Sequence, residues 1–136
     1  MKILIVDDDR INSTILNRLL ARDGHSVVIA SDGVAGVEVF HREQPDLVLM
    51  DIRMPRMNGY EAAREIKRLA ANRFVPIIFL TAVTDEDSLV QCIDAGGDDF
   101  LTKPFNRTIL QAKIDAMERI RQLHGELSRQ KETVER

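Results

Sequence analysis

The stretch Lys2-Ile3-Leu4-Ile5-Val6-Asp7-Asp8-Asp9 sets an unbroken aliphatic run directly against three carboxylates. A short apolar run without alternation suits a strand buried on both faces of a parallel sheet. Runs of the same kind recur at residues 27–30, 47–50 and 77–80, with a shorter one at 100–102. Between them the apolar residues fall at helical spacing. Ile11, Ile15, Leu16, Leu19 and Leu20 predict one helix face, and Val34, Val37 and Phe40 a second. Ala62, Ala63, Ile66, Leu69 and Ala70 predict a third, and Leu89, Cys92 and Ile93 a fourth. Ile109, Ala112, Ala116 and Ile120 open a long last helix. Asp23-Gly24 and Ala95-Gly96-Gly97 stand where left-handed caps end helices. Asn58, Thr84 or Asp85, and Asn106 stand where N-caps begin them. Strands and helices therefore alternate in five βα units. Right-handed crossovers then wind them into an α/β fold, a doubly wound five-stranded parallel sheet with helices on both faces.

Composition supports one packed domain. The chain has 136 residues, 44% hydrophobic and 30% charged, which excludes a disordered or low-complexity protein. Its uninterrupted aliphatic stretches hold four residues, whereas a spanning helix needs about 20. No membrane association is expected. The N-terminus reaches Asp7 too soon for the apolar stretch of a secretory signal. The single Cys92 excludes an intrachain disulfide and any Cys-based metal site. A cytoplasmic protein is the expectation. Net charge is −3, which leaves no electrostatic footprint for direct nucleic acid binding.

Ligands of an open α/β sheet bind beyond the carboxyl ends of its strands. The first predicted strand is followed by Asp7, Asp8 and Asp9, and the third by Asp51. The fourth ends at Thr81, the fifth at Lys103-Pro104, and the second delivers only Ser31-Asp32-Gly33. Crowded carboxylates repel one another and call for a counter-charge. A hard divalent cation with oxygen ligands, Mg²⁺ above all, supplies it. One carboxylate then serves as a nucleophile towards phosphorus. The metal, a Lys ammonium and a Thr hydroxyl would hold the phosphoryl oxygens. These residue types point to phosphoryl transfer onto an Asp.

Val6-Asp7-Asp8, Asp51 with Met54-Pro55 and Asn58-Gly59, Thr81-Ala82, and Lys103-Pro104-Phe105 together resemble the receiver domains of two-component response regulators. The likeness covers residues 1–120. It implies a flavodoxin-like (βα)5 fold with strand order 2-1-3-4-5 and a cis Lys103–Pro104 bond. It implies Asp51 as the phosphoacceptor. Asp7, Asp8, Asp51 and the backbone carbonyl of Arg53 would be the Mg²⁺ ligands. Thr81 and Lys103 would be the catalytic partners of the phosphoryl group, and Thr81 and Phe100 the switch residues. The implied partner is a sensor histidine kinase or phosphotransfer protein. The domain would catalyse only its own phosphorylation and dephosphorylation.

Two other readings compete. Asp7-x-Asp9 imitates the nucleophile and acid of haloacid-dehalogenase-like phosphatases. The chain is short for that family, Asp98-Asp99 precede Lys103, and Asp51 would have no task. A degenerate receiver acting as a binding module would lack one of the acidic residues or the Lys, and all are present. Asp9 reads as a helix-capping acid, and Asp98-Asp99 as a solvated turn at the opposite end of the sheet. His25, His41 and His124 read as surface residues, Cys92 as a small hydrophobe, and Met54 and Met57 as loop packing.

The tail departs from a minimal receiver. Ile120, Leu123, Leu127 and Val134 recur at coiled-coil spacing, with Gln130 at one core position and Glu126 and Lys131 flanking. Residues 121–136 therefore read as a helical extension or linker towards a missing output domain, with a homodimer possible along the seam. Such helices resemble those joining receivers to diguanylate cyclases or metal-dependent Ser/Thr phosphatases, rather than to DNA-binding domains on flexible linkers.

Overall fold

The computed structural model describes residues 1–82 and 86–134, with side chains described through residue 126 except at 86. Five strands carry the apolar runs: β1 (Lys2–Val6), β2 (Ser26–Ala30), β3 (Leu47–Asp51), β4 (Ile77–Thr81) and β5 (Asp99–Thr102). They alternate with α1 (Arg10–Arg22), α2 (Gly33–Glu43), α3 (Gly59–Ala70), α4 (Glu86–Asp94) and α5 (Arg107–Val134). All strand pairs are parallel and the order is β2-β1-β3-β4-β5, the flavodoxin-like topology.

Continuous apolar strands bury both faces, so the sheet separates two cores. Leu4, Val6, Val48, Met50, Ile77 and Phe79 face one side, which α2, α3 and α4 close with Phe40, Ala62, Ile66 and Cys92. Ile3, Ile5, Leu49, Ile78, Leu80 and Leu101 face the other, closed by Leu16 and Leu20 of α1 and Leu110, Ile114 and Met117 of α5. Gly24 and Gly96 take left-handed backbone after α1 and α4. Asn58 caps α3 and Asn106 caps α5, while Thr84 and Asp85 lie outside the described residues.

Several expectations about faces fail, each for a physical reason. The run at 27–30 is not buried on both faces. β2 is an edge strand, and Ile29 keeps 44% of its surface exposed. On α1, Leu16 and Leu20 are buried, but Ile11 and Ile15 are exposed, and Ile93 of α4 is exposed as well. The last helix turns a different face inward. Leu110, Ile114 and Met117 pack on the sheet, while Ile109, Ala112 and Ile120 face solvent. Both sets recur at helical spacing on one helix, and periodicity cannot choose between them.

Asp98 and Asp99 do lie at the amino end of the sheet, but they are not a solvated turn. Asp98 accepts from Ile77 N at 2.8 Å and from Lys67 Nζ at 2.8 Å, and Asp99 pairs with Lys113 at 3.0 Å. They fasten β4 and β5 to α3 and α5. The Met1 ammonium stands 3.2 Å from His25 Nδ1, and the exposed His124 ring stacks near Phe74. Cys92 is buried, and Met54 and Met57 pack on the first core as loop residues.

Candidate functional site

The three central strands end level with one another, which gathers their terminal side chains. Asp7 follows β1, Asp51 closes β3 and Thr81 closes β4, and all three are buried. Asp8 is exposed beside them. Asp7, Asp8 and Asp51 each place one carboxylate oxygen within 4.8 Å of the other two. Lys103 reaches in from beyond β5, its Nζ 3.2 Å from Asp51 Oδ1 and 4.0 Å from Asp7 Oδ2. Asp51 Oδ1 also accepts from Ile52 N at 2.9 Å, which orients the carboxylate. The Lys103 N–H donates to the Thr81 carbonyl at 2.9 Å, and the Lys103–Pro104 bond is cis.

Asp7 is the most strained of these groups electrostatically. Its Oδ1 accepts from Asp9 N at 2.9 Å, but its buried Oδ2 has no hydrogen-bond partner. Burial pushes its carboxyl up to about 6, and the Asp51 charge adds to this. The Asp9 N–H and the Lys103 ammonium oppose it. A buried carboxylate oxygen without a partner, facing two further carboxylates, fits a hard divalent cation. The single ammonium of Lys103 does not offset the three acids.

A cleft of about 560 Å³ opens over Asp51 and Thr81, with Arg53, Lys103, Tyr60 and Ser88 on its walls. Backbones approach closely where the loop after β3 enters α3. A Cβ at Gly59 would run into the Asp51 carbonyl oxygen, so only Gly lets α3 start there. Asp9, the third acid of the run, caps α1 by accepting from Ile11 N and Asn12 N, and takes no part in the cluster. Phe100 is half-buried against the first core, with Lys113 Nζ 5.3 Å from its ring.

Sequence reasoning missed three contributors. Tyr60 lines the cleft and packs on Phe79 with ring centroids 5.5 Å apart. Its position just after Gly59 was the available signal. Asp32, after β2, and Arg56, in the loop between β3 and α3, form an ion pair. Asp32 entered the sequence reading only as part of Ser31-Asp32-Gly33 after the second strand, and nothing in the sequence matched Arg56 to it.

The acidic cluster and Lys103 thus stand at the carboxyl edge of an open parallel α/β sheet, where such sheets bind their ligands. Residues 3–115 match the response regulator receiver domain, and the chain belongs to that family. Response regulator MprA of Mycobacterium leprae is 41% identical over 117 residues, covering 86% of this chain and 50% of MprA. Transcriptional regulatory protein YxdJ of Bacillus subtilis is 40% identical over 125 residues, 92% of this chain and 52% of YxdJ. The chain spans about half the length of the curated relatives it matches. Among solved structures, the receiver domain of sensor histidine kinase PA1611 from Pseudomonas aeruginosa PAO1 superposes with a TM-score of 0.76 at 38% identity. The match covers 87% of this chain and 94% of that one, and that structure has a magnesium ion coordinated in the active site cleft. The chain is thus a receiver domain of a two-component response regulator, and the phosphatase reading falls.

Proposed function

We propose that Asp51 accepts a phosphoryl group from a histidine kinase or phosphotransfer protein in a Mg²⁺-dependent reaction. The observation that carries this is the meeting of Asp51 with Lys103 at 3.2 Å inside the Asp7, Asp8 and Asp51 cluster. A carboxylate oxygen of Asp51 attacks phosphorus, the bond to the donor imidazole nitrogen breaks, and the imidazole leaves with that electron pair. Asp7, Asp8, Asp51 and the Arg53 carbonyl would hold Mg²⁺, which would supply positive charge against the phosphoryl oxygens beside the acids. The Lys103 ammonium shifts from carboxylate to phosphoryl oxygen, and the Thr81 hydroxyl follows the new charge. The domain catalyses only its own phosphorylation and dephosphorylation. With Mg²⁺ and a small phosphodonor, intact-mass spectrometry is expected to show one added phosphoryl group, on the peptide containing Asp51. Addition at any other residue refutes the assignment.

Movement of Thr81 towards the phosphoryl group favours one of two preexisting arrangements of the α4–β5–α5 face, with Phe100 as the aromatic member. The phosphorylated form is expected to be long-lived. Arg53 stands exposed at the cleft and has no lone pair to activate water, and Val83, two residues after Thr81 and outside the described residues, is aliphatic and has none either. A dephosphorylation half-time of seconds would contradict this.

Residues 1–120 form the receiver proper in this reading, and 121–136 a helical linker to an output domain of a cytoplasmic regulator. Among the described residues, no helix is long and apolar enough to cross a membrane. α5 continues to Val134, well past its last core contact at Met117. Ile120 and Leu123 are 46% and 58% exposed and begin the seam on which a homodimer would form. The side chains of Leu127, Gln130, Lys131 and Val134 lie outside the described residues. The name of YxdJ, a transcriptional regulatory protein, favours a transcriptional output over the diguanylate cyclase or phosphatase expected from the helix alone. Sedimentation tests the seam. A dimer that survives Leu123→Asp is not built on it.

A further inference from the structure

We infer that the Asp32–Arg56 ion pair is a positioning clasp for the metal-binding loop. The inference rests on the metal reading of the carboxylate cluster. Residues 52–58, between β3 and α3, carry Arg53 and cross from Asp51 towards the corner between β2 and α2. Within the loop, Met57 N donates to the Pro55 carbonyl, and at its far end Gly59 N donates to the Ile52 carbonyl. Arg56 sits at φ +69°, a left-handed backbone that costs a non-glycine residue energy and persists only where its surroundings hold it.

Two features of the β2–α2 corner supply that hold. The Arg56 guanidinium pairs with Asp32 Oδ2, while Asp32 Oδ1 caps α2 by accepting from Ala35 N at 2.8 Å. The Asp32 side chain is only 11% exposed, so the pair has a fixed end. Next to it, a Cβ on Gly33 would run into the Met57 carbonyl oxygen, which brings backbone against backbone. The loop is therefore docked on a corner that is itself anchored to a helix cap. Neither Asp32 nor Arg56 belongs to the carboxylate cluster, so both act through the loop.

Charge alone and clasp make opposite forecasts, which gives a clean test. Near a divalent cation, removing the Arg56 cation should tighten metal binding, and removing the Asp32 anion should weaken it. A clasp instead weakens binding when either partner is lost. Arg56→Ala removes one partner, and Asp32→Asn keeps the α2 cap but loses the charge. Mg²⁺ affinity is measured by calorimetry at constant ionic strength for wild type, both variants and the double variant. Both single variants are expected to bind about tenfold more weakly, as for other outer partners of metal sites, and the double variant no worse. Arg56→Lys should recover part of the loss. Shifts of opposite sign, strictly additive losses, or wild-type affinity in both single variants overturn the clasp. Absence of Mg²⁺ binding in the wild type overturns the cluster reading itself, and the clasp with it.

Discussion

Asp51→Asn is expected to abolish phosphoryl labelling and leave the domain folded. The amide has the volume of the carboxylate and can keep both hydrogen bonds that Oδ1 accepts, from Ile52 N and Lys103 Nζ. What it loses is the negative charge that makes the oxygen a nucleophile. Folding should not suffer, because the substitution also takes one charge from a crowded acidic cluster. The check pairs intact-mass spectrometry with circular dichroism of the same sample. Undiminished labelling of a folded variant would show that another residue accepts the group.

Asp7→Asn is expected to move stability and metal binding in opposite directions. Folding holds the Asp7 carboxyl at about 6, against an ordinary value of 3.8. The folded state thus keeps its proton to higher pH than the unfolded chain. Stability of the metal-free protein then falls as pH rises from about 4 to 6 and stays low above that. The difference is worth up to about 3 kcal/mol. Asn keeps the oxygen that accepts from Asp9 N and removes the buried charge whose Oδ2 has no partner. Without metal at neutral pH, the variant should melt several degrees above wild type and lose the downward slope between pH 4 and 6. It should also lose most Mg²⁺ affinity, so that saturating Mg²⁺ raises the melting point of wild type only. A variant that melts lower in the absence of metal would contradict the account.

The parts of the molecule legible from sequence were those with one physical solution. Residues 3–6, 47–50 and 77–80 read as doubly buried strands and are so, and their order of appearance with the intervening helices led to the sheet. Asp7, Asp51, Thr81 and Lys103 were legible because each ends or follows a strand, and strand ends of a parallel sheet converge. Helix faces were less legible. On α5, Leu110, Ile114 and Met117 compete with Ile109, Ala112 and Ala116 at equal spacing, and only the sheet surface selects between them. Long-range polar partners away from the strand ends of the carboxylate cluster were not legible. Nothing local tells Asp98 to receive Ile77 N and Lys67, or Asp32 to receive Arg56, because such pairs exist only once the backbone has brought distant residues together.

The division of the interior by the sheet has an engineering consequence. Neighbours on β5 serve different compartments: Phe100 packs with the core under α2, α3 and α4, and Leu101 with the core under α1 and α5. The sheet edge is where the compartments meet. There Lys113 of α5 reaches around β5, pairing with Asp99 and lying over the Phe100 ring. A protein engineer could therefore redesign the packing of Leu16, Leu20, Ile114 and Met117 as one module, for instance to graft a foreign helix in place of α5. The compartment that contains Tyr60, Phe79 and Cys92 would be left intact. The graft would need to restore a cation at position 113 over the β5 edge, together with the contacts of His124 with Phe74 and of Arg121 with Asp46.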